Sequence, residues 1–184
     1  FVIIDCEHAQ TDSETAVNMF RACEMYGMAP MVRVYNPYDG PMMSRLLDVG
    51  AHGIMVPLVN DAPQAKNIVD NTKYAPVGRR GANGGRGPRW GAYDDYVKVC
   101  NDNTLTFVQC ESIEGVNNIE EIAALPGVDG VFIGTGDLSL EMGIKFKADS
   151  SANHTVDSPE MVAAIDKILQ ACLKNGKIPG IVTA

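Results

Sequence analysis

Short apolar runs alternate with amphipathic stretches from one end of the chain to the other. Runs at about 1–5, 30–34, 53–58, 105–110, 128–133 and 178–182 have the length and Val/Ile content of strands buried on both faces. Between them, apolar residues recur every three or four positions, the spacing of a helix with one buried side. Asp12 or Ser13 can cap a helix that buries Ala16, Val17, Phe20, Cys23 and Met25. Pro41 to Leu47 forms a second helix, stopped by Gly50, and Asp61-Ala62-Pro63 opens a third that buries Ala65, Ile68 and Val69. Further helices are expected over Tyr93–Cys100, Gly115–Ala124 and Pro159–Asn175, the last with Met161, Ala164, Ile165, Ile168, Leu169 and Leu173 on its apolar side.

Strands that alternate with helices imply a parallel α/β sheet with the helices outside, either doubly wound or closed as a barrel. Polar residues end at least four of the strands, which a barrel accommodates more readily because all its strand ends ring one mouth. A closed (β/α)8 TIM barrel needs eight strands, and six are legible. The expected architecture is therefore one domain over residues 1–184, a (β/α)8 barrel truncated at both ends.

The unit from Leu105 to Asp137 carries the most chemistry. Gln109 and Glu111 stand two apart and share a face at the end of one strand, while Asp137 follows Gly134-Thr135-Gly136 just past the next. A β-α-β crossover makes the two strands parallel, so both carboxylates reach the same edge of the sheet. Two carboxylates suit a hard divalent ion, Mg²⁺ or Mn²⁺, although either could instead cap a helix or pair with an arginine. The Gly134-Thr135-Gly136 turn exposes N–H groups suited to a carboxylate or phosphate oxygen, and a ligand-free tight turn uses the same residues. Arg33, at another strand end, can stabilise an oxyanion or form a structural ion pair. Asp5, Glu7 and His8 crowd the end of the first strand, where His8 can serve as a general base oriented by a carboxylate. His52 and His154 lack such company.

Charge narrows the choice of partners. A formal charge of −8 argues against a surface for nucleic acid or an anionic membrane. Its one concentration of positive charge is the Gly-rich segment holding Arg79, Arg80, Arg86 and Arg89, which can steer an acidic substrate, make subunit contacts or simply be solvated. No apolar run approaches the roughly 20 residues of a membrane helix, and no basic-then-apolar leader precedes the first strand, so a cytoplasmic protein is expected. Five widely spaced cysteines without a C-x-x-C pattern point to unpaired core residues. Without a secretory signal, the Asn153-His154-Thr155 sequon is treated as coincidence.

Taken in order, D-C-E-H-A, V-R-V, L-L-D-V-G-A, I-M-V-P-L-V, G-R-R-G, F-V-Q-C-E-S and G-V-F-I-G-T-G-D-L-S resemble the HpcH/HpaI family of metal-dependent (class II) 2-oxo-acid aldolases, in the pyruvate/phosphoenolpyruvate-binding barrel superfamily. The resemblance covers nearly the whole chain. It implies a barrel that reversibly cleaves a 4-hydroxy-2-oxo acid to pyruvate and an aldehyde through a metal-held enolate, with Mg²⁺, Mn²⁺ or Co²⁺ as cofactor. By motif, Glu111 and Asp137 hold the metal, Gln109 and the Gly136 and Asp137 backbone bind substrate, Arg33 stabilises the enolate, and His8 is the base. Asp48 resembles a carboxylate that raises the basicity of that histidine, and Asp5 is the alternative orienting group. The resemblance also implies a homo-oligomer, such as a hexamer. Oxaloacetate decarboxylation, acyl-CoA cleavage and non-catalytic binding of a small acid are the rival readings. Cys6 stands where the family usually has Gly or Ala, and Thr135 where it often has Pro; Thr135 loosens the turn and adds a hydroxyl near the metal, which bears on substrate or metal preference.

Overall fold

The computed structural model describes residues 1–144 and 158–182. The sequon and most of the polar stretch from Lys145 to Ser158, His154 included, lie outside the described residues. Six strands, β1 (Val2–Asp5), β2 (Pro30–Arg33), β3 (Gly53–Val56), β4 (Leu105–Cys110), β5 (Gly130–Ile133) and β6 (Ile178–Ile181), form one sheet in sequential order, every neighbouring pair parallel. Sequential order decides between the two architectures left open by the alternation. A doubly wound sheet reverses direction at a switch point to place helices on both faces; successive crossovers of one hand place them all on one face, and the sheet curls. The result is a curled half-barrel with β1 and β6 at its edges.

The helices are α1 (Ser13–Met25), α2 (Gly40–Asp48), α3 (Ala62–Thr72), α4 (Tyr96–Asn103), α5 (Ile113–Asn117), α6 (Ile119–Ala124), α7 (Thr135–Glu141) and α8 (Pro159–Lys174). Asp12, not Ser13, caps α1, accepting from the Thr15 N–H at 2.8 Å. Ala16, Phe20 and Cys23 are buried as expected, but Met25, in the last turn, is exposed. On α8 the stripe ends on Ala171 and Cys172, and Leu173 faces out. The helix expected over 115–124 is two, broken at Asn118, whose side-chain amide donates to the Asn60 carbonyl instead of continuing one helical surface. All five cysteines are free and buried. Among the described residues, no helix is long and apolar enough to cross a membrane.

The main core lies between the helices and the outer sheet face, where Ile4, Val32, Ile54, Val108 and Val131 meet residues such as Phe20, Leu46, Ile68 and Ile168. The inner face carries a smaller cluster, Met31, Met55 and Phe107 with Phe132 against it. A Cβ on Gly130 would stand 2.4 Å from the Phe107 ring, so there is no room for a side chain beside that ring. These residues floor the concave side below its charged rim.

At the amino-terminal edge of the sheet, Lys73 is buried, its ammonium donating to the Asn101 and Thr104 carbonyls and to Asp129 at 2.7 Å. The arginine segment is also at this edge. Contrary to a wholly solvated loop, Arg80 is buried, paired with Asp48 at 2.7 Å and stacked on Tyr74, and Arg86 pairs with Glu24. A cavity of about 590 Å³ opens beside it, lined in part by His52, Arg86, Trp90, Tyr93 and Thr104. Within one chain, this cationic segment is across the sheet from the carboxyl edge.

Candidate active site

The carboxyl edge gathers residues from four strands. Asp5 ends β1 and is in register with Arg33, which ends β2. The guanidinium makes a two-pronged contact, Nε to Asp5 Oδ1 at 2.8 Å and Nη2 to Oδ2 at 2.6 Å. Asp5 Oδ1 also accepts the backbone N–H groups of Glu7 (3.0 Å) and His8 (3.4 Å), folding the chain after β1 into a turn that sets both side chains at the rim. Hydrogen bonding from Arg33 holds the Asp5 carboxyl below its usual range despite partial burial, and the same bonds push the Arg33 proton affinity up. The ion-pair reading of Arg33 is thus realised. Two of the five guanidinium N–H groups satisfy Asp5, leaving others for a second acid.

Glu111, immediately after β4, is only 4 % exposed. Its Oε1 accepts the Leu58 N–H at 2.7 Å and its Oε2 accepts Gln109 Nε2 at 2.9 Å. Leu58 reaches it by adopting φ +55°, a left-handed conformation that costs a side-chain-bearing residue about 1–2 kcal/mol. Nothing in the side chain of Leu58 announces that backbone, so the sequence could not reveal this contact. Gly134 forms the opposite wall, where an added Cβ would stand 2.2 Å from Glu111 Oε2. Burial pushes Glu111 up to about 7; the Leu58 N–H and Arg33 oppose the shift, while Glu7 and Asp137 add to it.

Asp137, just past β5 as its spacing predicts, sits in the first turn of α7 and is exposed. Its charge acts on both Glu111 and Glu7. Gly136 lies in the same turn, where N–H groups lack helical partners. Gln109 is buried, and its Oε1 has no hydrogen-bond partner among the described residues.

His8 is exposed at the rim, with 65 % of its side chain open. Asp48, the last residue of α2, is not beside it: its carboxylate is held by Arg80 and Asn83 at the amino-terminal edge. Nor does Asp5 meet the imidazole, since its oxygens go to Arg33 and the backbone. The acid nearest the ring is Glu7, Oε2 to Nε2 3.5 Å, which also lies 3.3 Å from Arg33 Nη1. Glu7 is one of the two acids that the sequence places beside His8 at the end of β1.

Among the described residues, no group of three His, Cys, Asp or Glu side chains is arranged to hold an ion. A divalent cation nevertheless fits the donor set. Glu111 is a buried carboxylate with no cationic partner within 4.0 Å among the described residues, a second carboxylate shares its field, and the Gln109 oxygen beside it is unsatisfied. Hard oxygen donors of this kind match Mg²⁺ or Mn²⁺, with remaining positions left to water and substrate.

Comparison with known proteins bears on the whole arrangement. The HpcH/HpaI aldolase/citrate lyase profile matches residues 1–183. The chain is 40% identical over 185 residues to a hydroxypyruvate/pyruvate aldolase of Chromohalobacter salexigens, covering 98% of this chain and 68% of that protein. It is 36% identical over 187 residues to a 4-hydroxy-2-oxo-heptane-1,7-dioate aldolase of Escherichia coli, covering 100% and 68%. A solved HpcH/HpaI aldolase/citrate lyase family protein from Burkholderia cenocepacia superposes with a TM-score of 0.85 at 32% identity, over 97% of this chain and 69% of that one. The chain thus spans about two thirds of the length of these relatives. A profile matched along nearly the full chain, together with these identities, places the chain in the HpcH/HpaI aldolase/citrate lyase family.

Proposed function

We propose that this carboxyl edge is the active site of a class II pyruvate aldolase, which cleaves a 4-hydroxy-2-oxo acid reversibly to pyruvate and an aldehyde. The observation that carries this reading is Glu111, buried without a cation and backed by Gly134, beside Asp137 and on the same rim as Arg33. The family's aldolases support the substrate class, and the motif resemblance implies a homo-oligomer.

Glu111 and Asp137 would hold the divalent ion, Mg²⁺ or Mn²⁺. When bound, that ion supplies positive charge against the 2-oxo and carboxylate oxygens of the substrate. The chain's own residues supply the remainder. The Gly136 and Asp137 N–H groups and the Gln109 amide bind and orient the acid, using donors that α7 and β4 leave at the rim. His8 accepts the proton of the 4-hydroxyl as the C3–C4 bond breaks and the aldehyde forms. The electron pair moves to the 2-oxo oxygen, where the Arg33 guanidinium stabilises the enolate, and protonation at C3 gives pyruvate. Arg33 is pre-set for this by its paired contact with Asp5, so little reorganisation accompanies the charge. Lys73 is not placed for a Schiff base, being tied to three acceptors at the other edge.

The test is pyruvate release from 4-hydroxy-2-oxo acids, with oxaloacetate and a malyl-CoA assayed alongside. EDTA should abolish release, Mn²⁺ should restore it, and Glu111→Ala and Asp137→Ala should each lower kcat/KM at least about 100-fold. Full activity in EDTA, or borohydride trapping of pyruvate on a lysine, overturns the reading.

A further inference from the structure

We propose that Asn60 is a positioning residue for Glu111: it clamps the loop after β3 so that the strained Leu58 backbone keeps its N–H on the carboxylate. What Glu111 does for the reaction rests on the aldolase reading, whereas the clamp itself is built from hydrogen bonds within the chain.

The Leu58 amide donates to Glu111 Oε1 at 2.7 Å from a backbone at φ +55°. A leucine left to itself relaxes to negative φ, because its Cβ crowds the backbone in the left-handed region. That relaxation turns the peptide plane and takes the N–H off the carboxylate. Such a conformation persists only where surrounding contacts over-determine it. The Leu58 side chain is 44 % exposed and is a poor anchor, so the hold comes from the residues that follow. Val59 is buried, and its N–H donates to the Gln109 carbonyl at 3.2 Å.

Asn60 adds the firmest hold. Its N–H donates to Gln64 Oε1 at 2.8 Å, its carbonyl accepts the Asn118 side-chain amide at 2.8 Å, and its Oδ1 accepts the Ser112 hydroxyl at 2.5 Å. Backbone and side chain are thus fixed from α3, from the break between α5 and α6, and from the turn after β4. Ser112 directly follows Glu111, and its Oγ also accepts the Gly115 N–H at 2.9 Å as the cap of α5. The Asn60–Ser112 and Leu58–Glu111 bonds therefore close a small ring across two adjacent loops, and neither loop can shift without breaking one of them. The interruption of the helix at Asn118 belongs to the same arrangement, because there its side chain reaches the Asn60 carbonyl. Packing agrees: a Cβ on Gly115 would stand 2.9 Å from the Val59 carbonyl oxygen, so α5 lies directly against the loop.

Glu111 has both oxygens occupied, one by Leu58 and one by Gln109. With both bonds in place the buried carboxylate keeps one orientation, which leaves little ordering for a cation to impose. Loosening the partners that orient a ligating carboxylate weakens metal affinity.

Pro57-Leu58 is the one Pro-Leu pair in the chain, so labelling proline carbonyls with ¹³C and leucine amides with ¹⁵N picks out the Leu58 N–H. In the full chain with EDTA, Asn60→Ala should speed hydrogen exchange at Leu58 at least about fivefold relative to the other leucine amides, the effect of one lost hydrogen bond. Calorimetric Mn²⁺ affinity, measured after the EDTA is removed, should weaken about tenfold. A merely structural Asn60 would lower the urea midpoint and move neither readout. Unchanged exchange at Leu58, or a freed amide with unchanged Mn²⁺ affinity, overturns the proposal. If Asn60→Ala does not fold, Asn118→Ala carries the test, since it removes the amide that holds the Asn60 carbonyl. Faster exchange at Leu58 is again expected, and exchange as slow as in the wild type overturns the clamp. A wild-type protein that binds no Mn²⁺ would refute the metal reading of Glu111 alone, because exchange at Leu58 still reports whether Asn60 holds the loop.

Discussion

Replacing Glu111 with Gln in the metal-free protein should stabilise the fold at pH 8 while abolishing metal binding. Burial raises the Glu111 pKa from 4.5 to about 7, so the folded state holds its proton more tightly than the unfolded chain does. The folded state gains from this fully below about pH 4.5, and the gain is lost as pH rises through 7. At pH 8 the ionised carboxylate is a net burden of up to about 3.5 kcal/mol, at roughly 1.4 kcal/mol for each pH unit between 4.5 and 7. Glutamine removes the charge and keeps the shape. Its oxygen can still accept the Leu58 N–H, and its NH₂ can donate to Gln109 once that amide turns its unpartnered oxygen inward. Urea unfolding in EDTA should therefore show Glu111→Gln more stable than wild type by about 2–3 kcal/mol at pH 8, with the gap closing near pH 5. Adding Mn²⁺ should reverse the order, since only the wild type gains stability from binding. A variant less stable than wild type at both pH values, or a gap that does not change with pH, would refute the reasoning that the site strains the fold until a cation arrives.

Gly134→Ala should lower Mn²⁺ affinity at least about tenfold by calorimetry, because the new Cβ at 2.2 Å must displace Glu111 Oε2, and stability should fall by about 1–3 kcal/mol. Unchanged affinity would show that the carboxylate can move freely. Lys73→Met should destabilise by about 3 kcal/mol in urea titrations, since Asp129 and two carbonyls lose a buried cation. Activity per folded molecule should be retained, and a comparable loss of kcat would contradict the separation of the two sheet edges.

How much of this was legible beforehand follows from the range of the forces involved. Strand and helix positions came from local periodicity, so the parallel α/β class and all six strands could be read from the chain, while some element ends, the break at Asn118 and helix α7 could not. Gln109 and Glu111 were placed correctly because a pleat has period two, and their contact is the direct result. Met25 and Leu173 went astray because whether a terminal helical turn is covered depends on the neighbouring element, which periodicity does not contain. Helix α7 is not announced by the sequence because Gly-Thr-Gly punctuation resembles a turn, whereas the half-barrel starts a helix at Thr135.

The partners of charged groups could not be read at all. Arg80 and Asp48 are 32 residues apart, Arg33 and Asp5 are 28 apart, and Glu111 depends on a Leu58 amide 53 residues away. Such pairings are set by which strand lies beside which and by the edge a residue occupies. By itself the sequence determined the repeating strand-helix units and the identity of the acids, base and arginine at the strand ends, because those depend on spacing and chemical type. Tertiary structure alone decided that the sheet curls, that within one chain Asp48 and the arginine segment gather at the edge away from His8, and that the Leu58 amide meets Glu111. Contacts across the sheet depend on register and curvature, which are properties of the whole assembly of strands.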